Sequence, residues 1–87
     1  MTKQTAAEAA EAASRAVADE VRVEMARQRK TAADLAPVLG ITQHTAGKRL
    51  NGQSSFTYSE LAAAAQWLGL TVSVLAARAE HVEAVAS

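Results

Sequence analysis

The chain has 87 residues, no cysteine, and nine acidic residues against nine basic ones, which excludes a disulfide scaffold, a thiolate metal site and a thiol nucleophile. This length predicts one small domain, whose limited core would gain stability from oligomerisation. No run is long and apolar enough to span a membrane, and the N-terminal residues match neither a signal peptide nor a transit peptide.

Alanine is abundant and apolar residues recur at helical spacing, which predicts an all-α domain of five helices. The only strand candidate is the short run 70–75. The first predicted helix extends from Thr5 to about Arg29. Its alanine-rich beginning has high helix propensity but little to bury, so residues 1–17 form a helical extension that either frays or packs on a partner chain. Its predicted core-facing stripe consists of Val17, Val21 and Met25, which are spaced four residues apart.

The second helix is predicted to begin after Thr31, an N-cap with Asp34 at the third helical position, which is close to a capping box. Pro37 lies past the first turn and removes one backbone hydrogen bond, which predicts a bent or tight helix at this point. Gly40 ends the helix, because glycine is the usual residue just after a helix C-terminus. The predicted buried face consists of Leu35, Val38 and Leu39.

The remaining helices are bounded by capping hydroxyls and glycines. The predicted ranges are Thr42 to about Asn51 for the third helix, Thr57 or Ser59 to Leu68 for the fourth, and Thr71 or Ser73 towards Ala86 for the fifth. Gly52 and Gly69 are the predicted stops, and residues 53–55 form the most obvious loop. The large side chains predicted to serve the core rather than a ligand site are Phe56, Leu61 and Trp67.

Gly47 lies in the middle of the third helix, where glycine costs about 1 kcal/mol relative to alanine. On a helix, Ala46 and Leu50 share the inward face, with Ile41 just before them. The opposite face holds two amides, an imidazole, a lysine and the glycine, namely Gln43, His44, Gly47, Lys48 and Asn51. Amides and basic groups read base edges in a major groove, and a bare backbone between them would let the helix approach DNA closely.

Charge is unevenly distributed along the chain. The segment from Arg27 to Gly52 holds five basic residues and one acidic residue, a balance of +4, so the remaining residues carry −4. The overall charge of zero therefore does not exclude a nucleic-acid partner, because a locally basic face is sufficient to bind phosphate. A solvated helix surface is the competing interpretation.

The stretches Thr31–Ala36 and Gly40–Thr42, with Ala46, resemble the helix-turn-helix of the Cro/lambda-repressor-like (XRE) family. In that pattern a small residue, here Ala36, packs where two helices cross, and three residues separate it from the turn glycine. The downstream sequence is similar to repressor-like members from actinobacteria and their phages at Arg49–Gly52, Phe56, Glu60, Leu61, Ala65, Leu68–Leu70 and Leu75. The resemblance covers residues 18–77 and implies a lambda-repressor-like fold with the helix-turn-helix at residues 31–51.

Two positions depart from the family pattern. Ala46 is smaller than the usual valine or isoleucine. Arg49 stands where an apolar residue is common, and Leu50 takes the inward role one residue later. A rotation of the helix by one residue would bring Arg49 onto the DNA face and move Lys48 aside.

The helix face and the resemblance together predict the DNA contacts. They are Thr42, Gln43, His44, Thr45, Gly47, Lys48, Arg49 and Asn51 in the third helix, and Arg27, Arg29, Lys30 and Thr31 before the second. Gln43 is the predicted base reader, because its amide pairs bidentately with adenine. Each contact has a simpler alternative: a solvated amide or imidazole, a threonine that only caps, an asparagine that only ends its helix, or cations that stabilise a helix C-terminus.

The fifth helix carries apolar residues at alternating steps of four and three, the spacing of an interhelical seam. These residues are Leu75, Ala79, Val82 and Ala86. They either belong to the core or, by fold analogy, pair two copies into a homodimer. A dimer would reach two half-sites about 34 Å apart on a duplex.

The sequence contains no recognisable catalytic constellation. Ser54, Ser55 and Ser59 have no histidine partner, there is no phosphate-binding glycine loop, and His44 and His81 alone do not make a metal site. We therefore expect no enzyme activity, no cofactor, no metal and no small-molecule ligand.

These expectations lead to a sequence-specific, double-stranded DNA-binding transcriptional regulator. By resemblance it is a phage-type immunity repressor that binds a short inverted repeat as a dimer at the nucleoid, in the bacterial cytoplasm. An antitoxin or a recombination accessory protein is an alternative that also binds DNA. A third alternative is a protein-interaction module that kept the fold without DNA binding, against which the basic residues near the third helix count.

Overall fold

Five α-helices joined by short turns build the chain in the computed structural model, which describes the backbone of residues 5–86 and the side chains of residues 5–82. The helices are α1 (Ala6–Arg27), α2 (Ala32–Leu39), α3 (Gln43–Leu50), α4 (Tyr58–Trp67) and α5 (Val72–Ala86). The all-α prediction is confirmed: the described residues contain no strand, and the strand candidate 70–75 consists of two residues before α5 and the first turn of that helix.

A threonine precedes each helix, and its hydroxyl oxygen accepts the backbone N–H three residues later. The five residues are Thr5, Thr31, Thr42, Thr57 and Thr71, with N–O distances of 3.0–3.3 Å. Thr57 and Thr71 therefore begin α4 and α5, and the alternatives Ser59 and Ser73 do not. In α2 and α4 the capping box is complete, because the carboxylates of Asp34 and Glu60 accept the N–H of their own cap. Each such cap stabilises its helix by about 1 kcal/mol.

The first four helices all end with the same pair of backbone hydrogen bonds around one residue in the left-handed conformation. After α2 that residue is Gly40, with φ of 68°, and the following N–H of Ile41 donates to the carbonyl of Ala36 at 3.0 Å. After α1 the residue is Arg29, with φ of 57°, and the N–H of Lys30 donates to the carbonyl of Met25 at 2.9 Å. Arg29 thus occupies a conformation that favours glycine, at a cost of about 1–2 kcal/mol.

Small and branched side chains from all five helices fill the core. Its buried members are Val21, Met25, Leu35, Ala36, Ala46, Leu50, Ala64, Ala65, Leu68 and Leu75. Leu35, Leu75 and Val21 are the largest side chains that are fully enclosed. The predicted core residues Phe56, Leu61 and Trp67 are half-buried and pack against this cluster from its edge. The buried residues within α4 are both alanines, Ala64 and Ala65.

The long helix α1 packs along α5, which joins the two ends of the chain. Ala13, Ala16 and Val17 line a cleft shared with Ala76 and Ala79 of α5. Residues 6–17 are a regular part of α1; residues 6–11 are exposed, whereas Ala16 and Val17 are half-buried against α5, and residues 1–4 lie outside the described part. An ion pair reinforces the contact, because Nη1 of Arg78 lies 2.8 Å from Oε1 of Glu24.

The packing of α5 on α1 decides between the two alternatives for part of the predicted seam. Leu75 and Ala79 are 0% and 4% exposed, so both belong to the core of a single chain. Val82 is 56% exposed. Ala86 belongs to α5, but its side chain lies outside the described part. Among the predicted seam residues whose side chains are described, only Val82 is therefore exposed to a partner.

Within the described residues, no single helix is long and apolar enough to cross a membrane; α4 and the α5 segment up to Val82 reach that length only together, across a 98° bend.

Candidate nucleic-acid interface

The helix pair α2 and α3 positions the candidate site. The two helices pack on each other, and Ala36 of α2 and Ala46 of α3 are both buried. The left-handed Gly40 turns the chain between them, and Ile41 packs against the core. As predicted, Ala46 and Leu50 face inwards, so the opposite face of α3 is turned to the outside.

This outer face brings together all five residues that the helical spacing placed there. Gln43, His44, Gly47, Lys48 and Asn51 line one open groove, which Gln53 and Ala32 complete. The four side chains are exposed and Gly47 is half-buried. The groove therefore offers amide, imidazole and ammonium groups around a stretch of bare helix backbone.

The fold itself does not require glycine at position 47. A Cβ built on Gly47 would meet nothing within 4 Å, and its φ lies outside the positive range. Glycine in a helix interior nevertheless costs about 1 kcal/mol relative to alanine. Nothing in the described packing recovers that cost, so the packing of the described residues gives no reason for a glycine at this position.

The two threonines of the site have different surroundings. Oγ1 of Thr42 accepts the N–H of Thr45 at 3.1 Å, and the two hydroxyl oxygens are 3.0 Å apart. The capping interpretation of Thr42 is thus confirmed, while the half-buried Thr45 is tied to that cap. Thr31 likewise caps α2, with its hydroxyl and its N–H both donating to the carboxylate of Asp34. The N–H and hydroxyl of Thr31 lower the pKa of Asp34.

Asn51 ends α3, which was the alternative to a DNA contact. Its Oδ1 accepts the N–H of Gln53 at 3.0 Å, so the side chain braces the turn that follows α3. The side chain is exposed, and its amide nitrogen retains two donors on the groove side.

Arg49 does not belong to the outer face, and its predicted DNA contact is corrected. Its Nε lies 2.9 Å from Oε1 of Glu60, and its Nη1 lies 2.6 Å from Oγ of Ser54. The side chains of Arg49 and Glu60 are only 19% and 14% exposed. Because Leu50 takes the inward position, Arg49 falls at the flank of α3 that meets α4, and Lys48 keeps the outer face.

The three basic residues before α2 also have different surroundings. Arg27 pairs with Glu24 at 3.2 Å. Nζ of Lys30 lies 3.2 Å from the carbonyl oxygen of Trp67 and 4.4 Å from the centre of the Trp67 ring, which directs this half-buried side chain to the C-terminal end of α4. Lys30 therefore stabilises a helix end, although that of α4 and not of α1. Arg29 is exposed and forms no ion pair within the described residues.

Sequence reasoning missed two residues near the groove, Arg15 and Gln53. Gln53 lies in the loop after α3 and extends the groove. Arg15 lies on α1, and its Cγ would be 3.1 Å from a Cβ built on Gly52. No spacing rule connects positions so far apart in sequence, so only the tertiary packing of α1 could have revealed Arg15. Glu60 was also missed as a partner of Arg49, although its place three residues after Thr57 marks a capping box.

Within the described residues, no three histidine, aspartate or glutamate side chains are grouped as a metal site would need. The predominant feature is instead the polar outer face of α3, which includes Lys48.

The fold and the outer face of α3 together define a small all-α domain that presents an exposed polar helix surface. Residues 8–85 match the sequence model of the BetR domain family, and the chain belongs to that family. No curated protein and no solved structure matches the chain.

Proposed function

We propose that this chain is a sequence-specific, double-stranded DNA-binding transcriptional regulator, with α3 as the helix that enters the major groove. The observation that carries the proposal is the outer face of α3, whose polar side chains lie together and exposed around Gly47. A duplex is a partner that such a surface fits, because its base edges present acceptors and donors to amides and cations. A backbone without Cβ at the centre allows the closest approach.

The base contacts are assigned to the residues at the start and middle of α3. Gln43 is the first residue of the helix, and its amide pairs with the N6 and N7 atoms of adenine. Lys48 reaches guanine or a phosphate, and His44 stands beside Gln43 on the same face.

Phosphate contacts are assigned to Arg29 and to the cap of α3. Arg29 is exposed at the turn between α1 and α2, and its backbone strain is of the kind that functional sites retain. Of the five basic residues in segment 27–52, Arg27, Lys30 and Arg49 make contacts within the chain, as described above. The positive charge offered to DNA is thus smaller than the sequence predicted.

A second copy of the chain would supply the affinity that one small module lacks. We assign the pairing surface to a groove between α1 and α5, where Val23 and Val82 are 41% and 56% exposed. The groove also holds Glu20, Arg27, Arg78 and His81, so it carries both signs of charge. In a two-fold arrangement each contact occurs twice, so an acidic residue of one copy that meets a basic residue of the other forms two equivalent ion pairs.

The resemblance to Cro/lambda-repressor-like proteins supports a phage-type repressor that occupies an inverted repeat and excludes polymerase. The engagement of three cations within the chain favours the competing idea of a protein-interaction module. Salt dependence separates the two, since a DNA binder loses affinity steeply as salt rises, with log Kd linear in log salt.

The deciding experiment selects duplexes from a random library with the purified chain and measures their Kd over a range of salt. We expect an enriched inverted repeat and a salt slope of several units. The Q43A variant should lose affinity for the selected site by about tenfold while binding a random duplex as before. Gln66→Ala, at an exposed position of α4, is the matched control. The proposal fails if no duplex is enriched and binding is absent at low salt.

A further inference from the structure

A second, smaller cleft lies beside the α3 groove, between α1 and the loop that follows α3. Its volume is about 250 Å³, and polar residues line most of it, including Ser14, Arg15, Gln53, Ser54 and Ser55. Gln53 lines both this cleft and the α3 groove, so the two adjoin. We propose that the cleft binds a backbone phosphate of the same duplex, with Arg15 as its cation. This inference rests on the proposed function.

Arg15 is suited to bind an anion because its side chain is exposed and has no partner among the described residues. The side chain is exposed and forms no ion pair or side-chain hydrogen bond within the described residues. Guanidinium presents several N–H donors in a planar fork that matches phosphate. An exposed guanidinium without a protein partner keeps all these donors for a ligand.

The stem of Arg15 lies beside Gly52. A Cβ at Gly52 would lie 3.1 Å from Cγ and 3.5 Å from Cδ of Arg15, so the missing side chain creates the space in which the arginine stem lies. The stem thus lies against the turn, and the guanidinium pairs with no described residue. Binding then loses less side-chain entropy than it would with an unsupported arginine.

The loop contributes neutral donors around the same cleft. Ser55 and Gln53 are exposed, and the Oγ of Ser54 already accepts a hydrogen bond from Arg49. Hydroxyl and amide groups commonly complete phosphate contacts that an arginine begins. One group opposes an anion: Glu11 also lines the cleft, one helical turn before Arg15. Its carboxylate should weaken the site, which provides a second test.

The test compares Arg15→Met, which keeps the stem and removes the charge, with the wild-type chain on a selected and a random duplex. We expect Arg15→Met to weaken both complexes by a similar factor of several-fold and to reduce the salt slope by about 0.9, the value for one phosphate. Arg15→Lys should recover most of the slope, and Glu11→Gln should tighten both complexes. Thermal unfolding should be nearly unchanged in Arg15→Met, because the stem still packs on Gly52.

Arg22→Met is the matched control, since Arg22 lies on the same helix and pairs with Asp19 at 2.8 Å. It should change neither affinity nor slope. The inference is overturned if Arg15→Met behaves as wild type, or if Arg22→Met loses as much affinity, which would indicate a diffuse charge effect. A wild-type chain that binds no duplex would overturn the proposed function itself, and is thus distinguishable from a wild-type chain that binds without help from Arg15.

Discussion

Arg49 and Glu60 form a half-buried ion pair, with Nε 2.9 Å from Oε1, that ties the end of α3 to the beginning of α4. The same Oε1 accepts the N–H of Thr57 at 2.9 Å, so one carboxylate both caps α4 and anchors α3. The outer face of α3 keeps its orientation partly through this pair.

Replacing Glu60 with glutamine should destabilise the fold by about 1–2 kcal/mol, because Arg49 loses its charged partner while the amide oxygen can still accept from Thr57. Chemical denaturation at neutral pH measures the change. Glu80→Gln, an exposed position of α5 without an ion pair in the described part of the chain, should leave the free energy of unfolding nearly unchanged. Equal effects of the two substitutions would remove the special role of Glu60.

The same substitution should alter the response to acid. Hydrogen bonding from Arg49, followed by that from Thr57, holds the pKa of Glu60 below its ordinary value of 4.5, although burial opposes the shift. The folded pKa is the lower one, so this stabilisation is complete above pH 4.5 and is lost as the pH falls through the folded pKa. The difference in unfolding free energy between wild type and Glu60→Gln should therefore shrink as the pH falls below 4.5. A constant difference down to pH 2 would contradict the assignment.

Gly47→Ala should stabilise the fold by about 1 kcal/mol and weaken specific DNA binding. The new methyl group meets open space within the chain, but it would stand between α3 and a duplex. Gly40→Ala is the matched control, because a Cβ there also meets nothing within 4 Å while φ is +68°. Gly40→Ala should destabilise the chain by about 1 kcal/mol. Unaltered DNA affinity in Gly47→Ala would show that the glycine has no role in contact.

Arg29→Gly should also raise stability and lower affinity together. Glycine relieves the left-handed backbone of Arg29, while Arg29→Ala keeps the strain, so the glycine variant should be more stable than the alanine variant by about 1 kcal/mol. Both variants lose the same cation and should weaken selected and random duplexes equally. Thermal unfolding and DNA titration of the pair test this. If both variants bind as wild type does, Arg29 makes no phosphate contact.

Val82→Asp should weaken self-association. The valine is 56% exposed in the α1–α5 groove, so the charge should disturb a partner without disturbing the monomer core. Sedimentation should show a lower mass, and affinity for a two-half-site duplex should fall while that for a single half-site stays the same. Val74→Asp, at a position 37% exposed and outside this groove, is the control. A Val82→Asp chain that still sediments as a wild-type dimer would exclude this surface.

The elements and the outer face of α3 were predictable because they follow from local rules. Thr31, Gly40 and Thr42 mark helix boundaries within four residues of the bonds they make, and a rotation of 100° per residue is sufficient to place Gln43 beside Gly47. For the start of α4 the sequence left two candidate caps, Thr57 and Ser59, which lie only two residues apart.

The residues whose surroundings the sequence left open are those whose partners lie far away in sequence. Arg49 meets Glu60, Lys30 meets Trp67, and Leu75 and Ala79 are buried in the core where α5 packs on α1. A basic residue near a helix-turn-helix has the same local pattern whether it faces DNA or a helix end. Only the packed arrangement of the five helices distinguishes the two.

The five threonine caps also bear on how quickly the chain folds. Because each helix start is specified within four residues, the ends of all five helices can form before distant parts of the chain meet. Chains dominated by such short-range contacts fold in microseconds to milliseconds. The contact between α1 and α5 joins opposite ends of the sequence, so it pays the largest loop-closure entropy and is expected to form late. Changes at Val17 or Ala79, which lie in this contact, should then accelerate unfolding more than they slow folding.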